Sequence, residues 1–188
     1  QKSNTNDFAP GTHFNSIALN GNGYALDGNA IALTSGISGN APNSAPSRID
    51  MDIDLNQAQA FDAVSSAIWI GGALRLNGYA LTLNCSRSVS IFGQISGGGG
   101  ITKNGTGFLL LTEDNSYSGV TQLNGGMVFL SHGNALGATG TGNHTVVADG
   151  ATLSLPPEAR TMTEAITLSG FGASGGVAAL AAANCPNG

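Results

Sequence analysis

The sequence is poor in charged residues. Asp, Glu, Lys and Arg make up 9% of its 188 residues, against about 25% in ordinary globular domains. Only six residues are basic and the formal net charge is −5. Nucleic-acid binders need clustered Lys and Arg, so this composition predicts no nucleic-acid partner. A disordered chain is not indicated either, because 41% of the residues are apolar.

Long apolar runs and helical patterns are also scarce. No apolar run reaches the roughly 18 residues of a membrane-spanning helix, so no membrane span is predicted. The best helical candidate, Val177 to Ala183, is shorter than a stable isolated helix and is interpreted as strand or irregular structure. No secretory signal is visible, and Gln1 is compatible with a mature N-terminus from which such a signal has been removed.

Glycine is abundant, with 29 residues, roughly twice the usual share. Between Ile95 and Leu130, short apolar runs alternate with Gly-, Asn- and Ser-containing turns. The predicted strands there are Ile101, Phe108 to Leu111, Val120 to Leu123 and Met127 to Leu130. A chain that turns every ten residues or so in this way is typical of a coil of stacked turns.

The pattern extends over the rest of the chain. Ser16 to Gly36 resembles Ala73 to Gly97, since both read strand, Asn-Gly turn, Tyr-Ala-Leu, turn, strand. We therefore predict one all-β domain over residues 1–188, a parallel β-solenoid. Because Asn-Gly pairs also mark hairpins, a meander or sandwich is the alternative fold. Ala41 to Ser47 is interpreted as a loop that leaves one turn.

Residues 95–130 resemble a known family. The sequence GGGGITKNGTGFLLLTEDNSYSGVTQLNGGMVFL is similar to the autotransporter-associated β-strand repeat. The positions that match are Ile101, Lys103, Gly105, Gly107, Leu109, Leu111, Asn115, Tyr117, Gly119, Thr121 and Gly126. The resemblance implies a right-handed β-helix in the passenger of a bacterial surface or exported protein. It brings no catalytic residues, and the sequence predicts no cofactor and no metal site.

The repeat has a physical interpretation. Leu109, Leu111, Leu123 and Val128 are predicted to point inward and stack on their equivalents in the next turn. Asn115 is expected either to form an asparagine ladder or to bond the backbone of the next turn. Tyr117 is expected to cover that corner.

Asp50, Asp52 and Asp54 alternate with apolar residues along a predicted strand, Ile49 to Leu55. A row of carboxylates on one face can bind calcium or act on a glycan. The simpler interpretation is that these are the solvent-facing residues of a half-buried strand, because a straight strand spaces them by roughly 7 Å. Glu113, Asp114 and Asp149 are interpreted as polar turn residues.

Other candidates carry weaker signals. His13, His132 and His144 show no ligand spacing and are interpreted as surface or turn residues. Trp69 is either a carbohydrate-stacking platform or a core or interface aromatic. Gly97 to Gly100 is not a phosphate loop, since no GK[ST] follows, and is interpreted as a corner or a close-packing site.

Cys85 and Cys185 are the only cysteines. They form neither a disulfide framework nor a zinc pattern. Three states stay open: a disulfide within the chain across stacked turns, a disulfide between subunits, or free thiols.

The sequence as a whole favours a structural, non-enzymatic, secreted protein at or outside the surface of a bacterial cell. Both ends read as if cut within the pattern, and exposed strand edges of a solenoid invite pairing. A self-assembling filament, matrix or adhesin subunit that stacks head to tail is the leading hypothesis. The alternatives are a passenger or stalk fragment of a larger autotransporter, and a β-helix that binds or cleaves glycans, with surface glycans as a partner.

Overall fold

A computed structural model describes residues 2–41, 45–155, 162–173 and 179–182. Within these ranges every regular element is a β-strand, and all strand pairs are parallel. The chain winds through about eight turns. This confirms the predicted parallel β-solenoid, and the meander or sandwich alternative is wrong because it requires antiparallel pairs.

Three parallel sheets run along the axis. The nine-stranded sheet contains, in spatial order, β1 (Lys2–Asn6), β4 (Tyr24–Gly28), β7 (Ser47–Ile49), β10 (Ile68–Ile70), β13 (Ser88–Ile91), β16 (Phe108–Leu111), β18 (Gly126–Leu130), β20 (Ala151–Leu155) and β22 (Leu180–Ala182). The eight-stranded sheet contains β3 (Ile17–Leu19), β6 (Ile37–Gly39), β9 (Gln59–Ala63), β12 (Leu81–Cys85), β15 (Ile101–Asn104), β17 (Thr121–Leu123), β19 (Thr145–Val147) and β21 (Ile166–Leu168). The five-stranded sheet contains β2 (Thr12–Phe14), β5 (Ile31–Leu33), β8 (Ile53–Leu55), β11 (Leu74–Arg75) and β14 (Ile95–Ser96).

The core is a set of apolar columns parallel to the axis. Alternation with period two sends every second side chain inward, and the register aligns the inward residues of successive turns. One column in the nine-stranded sheet consists of Ile49, Ile70, Ile91, Leu111 and Leu130. All five are buried. The predicted inward residues Leu109, Leu111, Leu123 and Val128 are buried as well, so that prediction is confirmed.

One predicted strand is in fact a pair of strands. Ile49 to Leu55 was expected to be straight, but β7 ends at Ile49 and β8 begins at Ile53, with a corner between them. The chain turns in the same way between β2, which ends at Phe14, and β3, which begins at Ile17. Buried and half-buried side chains keep alternating through the corner at Asp50–Asp52. The hydropathy pattern therefore does not reveal the corner.

Two further predictions fall partly outside the described residues. Of the loop predicted at Ala41 to Ser47, residues 42–44 are outside, and Ser47 already belongs to β7. Of the segment Val177 to Ala183, only residues 179–182 are described, and Leu180–Ala182 form β22. That segment is therefore strand where it is described, as predicted.

Candidate functional site

Lys103 occupies an inward position of the solenoid. It lies in register between Leu83 and Leu123 in the eight-stranded sheet, and its side chain is fully buried. Its Nζ donates hydrogen bonds to the carbonyl oxygens of Gly105 and Gly125, both at 2.8 Å. A buried ammonium needs such partners, so the lysine of the repeat joins the corners of two successive turns.

Cys85 is a buried, free thiol at the end of β12. Burial raises the pKa of Cys85 to about 11, and nearby Lys103 opposes this rise. Burial likewise lowers the pKa of Lys103. Cys185 lies outside the described residues, so nothing in the structure tests the two disulfide alternatives, within the chain or between subunits.

Asn115 ties three turns together. Its Oδ1 accepts a hydrogen bond from the backbone N–H of Ile95 at 2.7 Å, and its Nδ2 donates to the carbonyl of Ala135 at 2.7 Å. Of the two expected roles, the structure shows the bond to neighbouring backbone. Tyr117 is buried beside it, and its hydroxyl lies 2.7 Å from Oγ1 of Thr121, which points inward. Burial raises the pKa of Tyr117.

The glycines of the repeat mark places where two backbones touch. A Cβ on Gly107 would lie 1.7 Å from the carbonyl oxygen of Arg87, and one on Gly126 would lie 2.4 Å from that of Gly107. Gly105 and Gly119 have positive φ angles of 81° and 138°, which side-chain-bearing residues rarely adopt. The segment Gly97 to Gly100 is a corner of the same kind, as predicted, since a Cβ on Gly99 would lie 2.1 Å from the carbonyl of Tyr79.

An amide ladder crosses the eight-stranded sheet along the C-terminal ends of its strands β9, β12, β15 and β17. Asn124 donates to Asn104 at 2.8 Å, Asn104 donates to Asn84 at 3.0 Å, and Asn84 donates to Asp62 at 2.6 Å. The sequence analysis missed this ladder and placed a candidate ladder at Asn115. The signal that could have found it is the spacing of Asn84, Asn104 and Asn124, which recur every 20 residues.

The aspartates of the predicted carboxylate row are paired with arginines. Arg48 forms an ion pair with Asp50. Arg75 contacts Asp52 at 2.8 Å and Asp54 at 3.4 Å, and the hydrogen bond to Asp52 is the largest of the effects that raise the pKa of Arg75. Asp52 also accepts a backbone hydrogen bond from Ala73. These pairs are half-exposed, which supports the interpretation as a solvated face stabilised by neighbouring turns.

The remaining sequence candidates lie apart from one another. His13 and His132 are exposed, and His13 contacts Asn56 at 3.2 Å. Among the residues that the structure describes, no group of three or more His, Cys, Asp or Glu could hold a metal ion. Trp69 points outward from β10 and packs edge-on against Phe92, with ring centroids 5.7 Å apart. It is therefore a surface aromatic, and the interpretation as a core residue is wrong.

A groove lies at the corner that leads into the nine-stranded sheet. It has a volume of about 530 Å³ and spans three successive turns. Its lining is Ser65, Ser66, Ala67, Ser86, Arg87, Ser88, Thr106, Gly107 and Phe108. The sequence analysis did not single out this groove. The available signal was the recurrence of small polar residues immediately before β10, β13 and β16.

Comparison with known proteins gives a distant relative. No protein-family model matches the chain, and no solved structure matches it. The chain is 30% identical over 115 residues to a protein described as "Uncharacterized lipoprotein YdeK" of Escherichia coli K12. The match covers 55% of this chain and 9% of the lipoprotein, so the chain spans less than a tenth of that relative's length.

One coarse statement follows. The β-solenoid fits a structural or surface role. No helix in the described part of the chain is long and apolar enough to cross a membrane. The resemblance to the autotransporter-associated repeat stays a prediction.

Proposed function

We propose that this chain is a structural, non-enzymatic β-solenoid rod at the surface of a bacterial cell or secreted from it. The observation that carries the proposal is the continuous core, in which inward apolar residues align from turn to turn along the described part of the solenoid. Stacked turns of this kind build extended shapes whose outer surface is available along the whole length. The similarity to part of a much longer lipoprotein supports a place within, or beside, a cell-envelope assembly.

Surface location is tested on the native protein in the organism that produces it. We expect antibodies raised against this chain to label intact cells or the culture medium, and external protease to remove the label without lysis. A cytoplasmic enzyme serves as the control for cell integrity. Recovery of the protein only in the cytosolic fraction would contradict the proposal.

Self-association is the second part of the proposed function, with head-to-tail stacking of identical solenoids. Its support is that β1 lies at the edge of the nine-stranded sheet and pairs with β4 alone among the described strands. The backbone N–H of Lys2 donates to the carbonyl of Gly23, which directly precedes β4. Because successive residues of a strand direct their N–H groups to opposite sides, those of Ser3 and Thr5 point away from β4. An unpaired edge of this kind is a template for another strand.

Negative-stain electron microscopy and sedimentation of the purified chain test the stacking. We expect filaments or a concentration-dependent increase in mass, and fewer of either for Thr5→Pro, which removes an outward N–H without breaking a bond to β4. Well-dispersed short rods at high concentration would show that the chain is not a self-stacking subunit and would favour the stalk alternative.

A further inference from the structure

Outward side chains of the nine-stranded sheet form a row that runs along the axis. Trp69 of β10 lies beside Ser90 of β13, and Ser90 lies beside Leu110 of β16. Leu110 in turn lies beside Phe129 of β18. Neighbouring strands are about 4.8 Å apart, so Trp69 and Phe129 are about 14 Å apart along the axis. These four residues, which we call the outer row, belong to one surface because the strand register joins each to the next.

Each end of the outer row carries a pair of aromatic rings. The ring of Trp69 packs against that of Phe92, with centroids 5.7 Å apart. The ring of Phe129 packs against that of Phe108, with centroids 5.8 Å apart. Phe108 is 47% exposed and Phe129 is 38% exposed, and none of the four aromatic residues belongs to the buried core cluster. The sheet therefore presents aromatic surface to solvent at two separate points.

The outer row has no charged group available to a ligand in the described part of the chain. The strands β10, β13, β16 and β18 contain no charged residue. Arg48 continues the row beyond Trp69, and its guanidinium is paired with Asp50. Arg87, at the corner before β13, already interacts within the chain. An uncharged ligand fits this surface, because a charged one would find no free partner of opposite sign.

Hydroxyl groups border the same surface. Phe108 contacts Phe129 and also lines the groove of about 530 Å³ before β10, β13 and β16, so it joins the outer row to that groove. Partly or fully exposed residues of the groove that carry a hydroxyl are Ser65, Ser86, Ser88 and Thr106. Hydroxyls both donate and accept hydrogen bonds. Aromatic rings beside hydroxyls suit a sugar, whose ring has apolar C–H faces and a polar edge.

A second protein or a membrane fits this surface less well. A standard protein interface takes about 20–30 residues a side, whereas the apolar part of this surface, among the described residues, consists of Trp69, Phe92, Phe108, Leu110, Met127 and Phe129. An anionic membrane surface is recognised by clustered basic residues, and no free basic group lies beside the row in the part of the chain that the structure describes. A linear polymer needs only the contacts at the two aromatic pairs and the hydroxyls between them.

From these observations we infer that the outer row binds an extended, uncharged polysaccharide. Sugar rings of one chain pack on the aromatic pairs at Trp69 and Phe129, and the hydroxyls of the adjoining groove bond to the edge of the sugar. This binding goes beyond the structural role proposed above, and either can fail without the other. It would attach the surface of the rod to a neutral glycan. No bond is made or broken in the ligand.

The test is calorimetric titration of the whole chain with cellohexaose, mannohexaose and chitohexaose, which are extended and uncharged. Maltohexaose is the comparison for a coiled chain, and the disaccharide of each probe is the comparison for length, since it is too short to contact both aromatic pairs. We expect at least one extended hexasaccharide to bind with a dissociation constant below about 1 mM. Its disaccharide and maltohexaose are expected to bind at least about tenfold more weakly.

Trp69→Ala and Phe129→Ala each remove one aromatic end of the outer row. Each is expected to weaken binding of the hexasaccharide at least about tenfold and to remove its advantage over the disaccharide. Trp69→Leu and Phe129→Leu keep an apolar side chain without a ring, and they replace an alanine variant that does not fold.

Two matched variants serve as controls. Tyr79→Ala and Phe171→Ala remove aromatic residues that are 40% and 88% exposed and lie outside the outer row. Both are expected to bind like the unaltered chain, and all the variants that are titrated are expected to give its circular dichroism spectrum.

Several results would overturn the inference. One is no binding of any extended hexasaccharide at millimolar concentration. Others are unchanged affinity in folded variants of Trp69 or Phe129, equal weakening by the control variants, and equal affinity for maltohexaose. Dimers in sedimentation that Phe129→Ala dissociates, together with no sugar binding, would show that the row is an interface between copies of the chain instead.

Discussion

At the scale of single residues, Lys103 shows how a polar group can be part of a solenoid core. Its aliphatic stem lies in register with Leu83 and Leu123, while its Nζ reaches the carbonyls of Gly105 and Gly125 at the corner. Removing the ammonium takes the donor away from two carbonyl oxygens in part-buried hydrogen bonds, and an acceptor that loses its partner away from bulk water costs more than the bond itself contributes.

Lys103→Met keeps the apolar stem and removes the donor. We expect the free energy of unfolding to fall by about 1–3 kcal/mol, measured by urea denaturation. Lys2→Met is the control, because Lys2 is the only other lysine and is exposed. An unchanged unfolding free energy for Lys103→Met would mean that the corner carbonyls find other partners.

Cys85 carries a prediction about pH. Burial raises its pKa from an ordinary 9.0 to about 11, so above pH 9 the thiol ionises in the unfolded chain before it does so in the folded one. The stability that this thiol contributes is complete below pH 9 and is lost as the pH rises through 11. Over that window we expect the loss to be about 1.4 kcal/mol per pH unit.

The measurement compares urea unfolding of the unaltered chain with that of Cys85→Ala between pH 7 and 11. Lys103 acts with the opposite sign, because its lowered pKa makes the folded state more stable as the pH rises. It is present in both proteins, so the comparison reports Cys85 together with the coulombic effect of Cys85 on Lys103. The difference in unfolding free energy between the two is expected to be constant below pH 9 and to shrink above it. A constant difference throughout would contradict the buried-thiol interpretation.

At the scale of elements, the corners set how closely successive turns approach. Gly107 and Gly125 both lie at corners of the repeat and neither has a positive φ, yet their surroundings differ. A Cβ at position 107 would lie 1.7 Å from a backbone oxygen, whereas the nearest atom to a Cβ at position 125 would be 3.4 Å away. Substitutions at the two positions therefore separate the effect of a close neighbouring backbone from the effect of an unusual backbone conformation.

Gly107→Ala is expected to destabilise the fold by about 1–3 kcal/mol or more, since the backbone of Arg87 has to move. Gly125→Ala is the matched control and is expected to change stability by less than about 0.5 kcal/mol. Thermal or urea unfolding of both variants checks this. Equal effects would show that the solenoid adapts to a methyl group at either corner.

At the scale of the whole molecule, the solenoid is nearly one-dimensional, since each turn contacts only its neighbours. The central strand β12 alternates buried and half-buried residues, whereas four residues of β1 are exposed and β21 has no buried residue. Local opening is least costly where few apolar contacts are lost.

Hydrogen exchange followed by mass spectrometry is therefore expected to show a gradient along the axis. Peptides from β9 to β18 are expected to exchange slowest, and peptides from β1 to β3 and from β21 fastest. Uniform protection across all turns would show that the chain opens as one cooperative unit, or that its outermost turns are covered by another copy.

Much of the fold was predictable from local patterns. Alternation of apolar and polar residues gave the inward positions Leu109, Leu111, Leu123 and Val128, and turn-forming residues at short intervals gave the winding. Corners such as Asp50–Asp52 were missed because the alternation continues through them. The core interpretation of Trp69 was wrong because an aromatic residue in an apolar run has no signal that distinguishes the inner from the outer face.

What the sequence determined by itself is the class of the fold, since strand period and turn chemistry are properties of neighbouring residues. Only the tertiary structure decided which residues meet between turns. The ladder of Asn84, Asn104 and Asn124, the carbonyl partners of Lys103 and the groove at Arg87 and Phe108 all join residues about 20 positions apart. Whether such residues meet depends on how many residues each turn of the solenoid contains. Patterns among neighbouring residues do not fix that number.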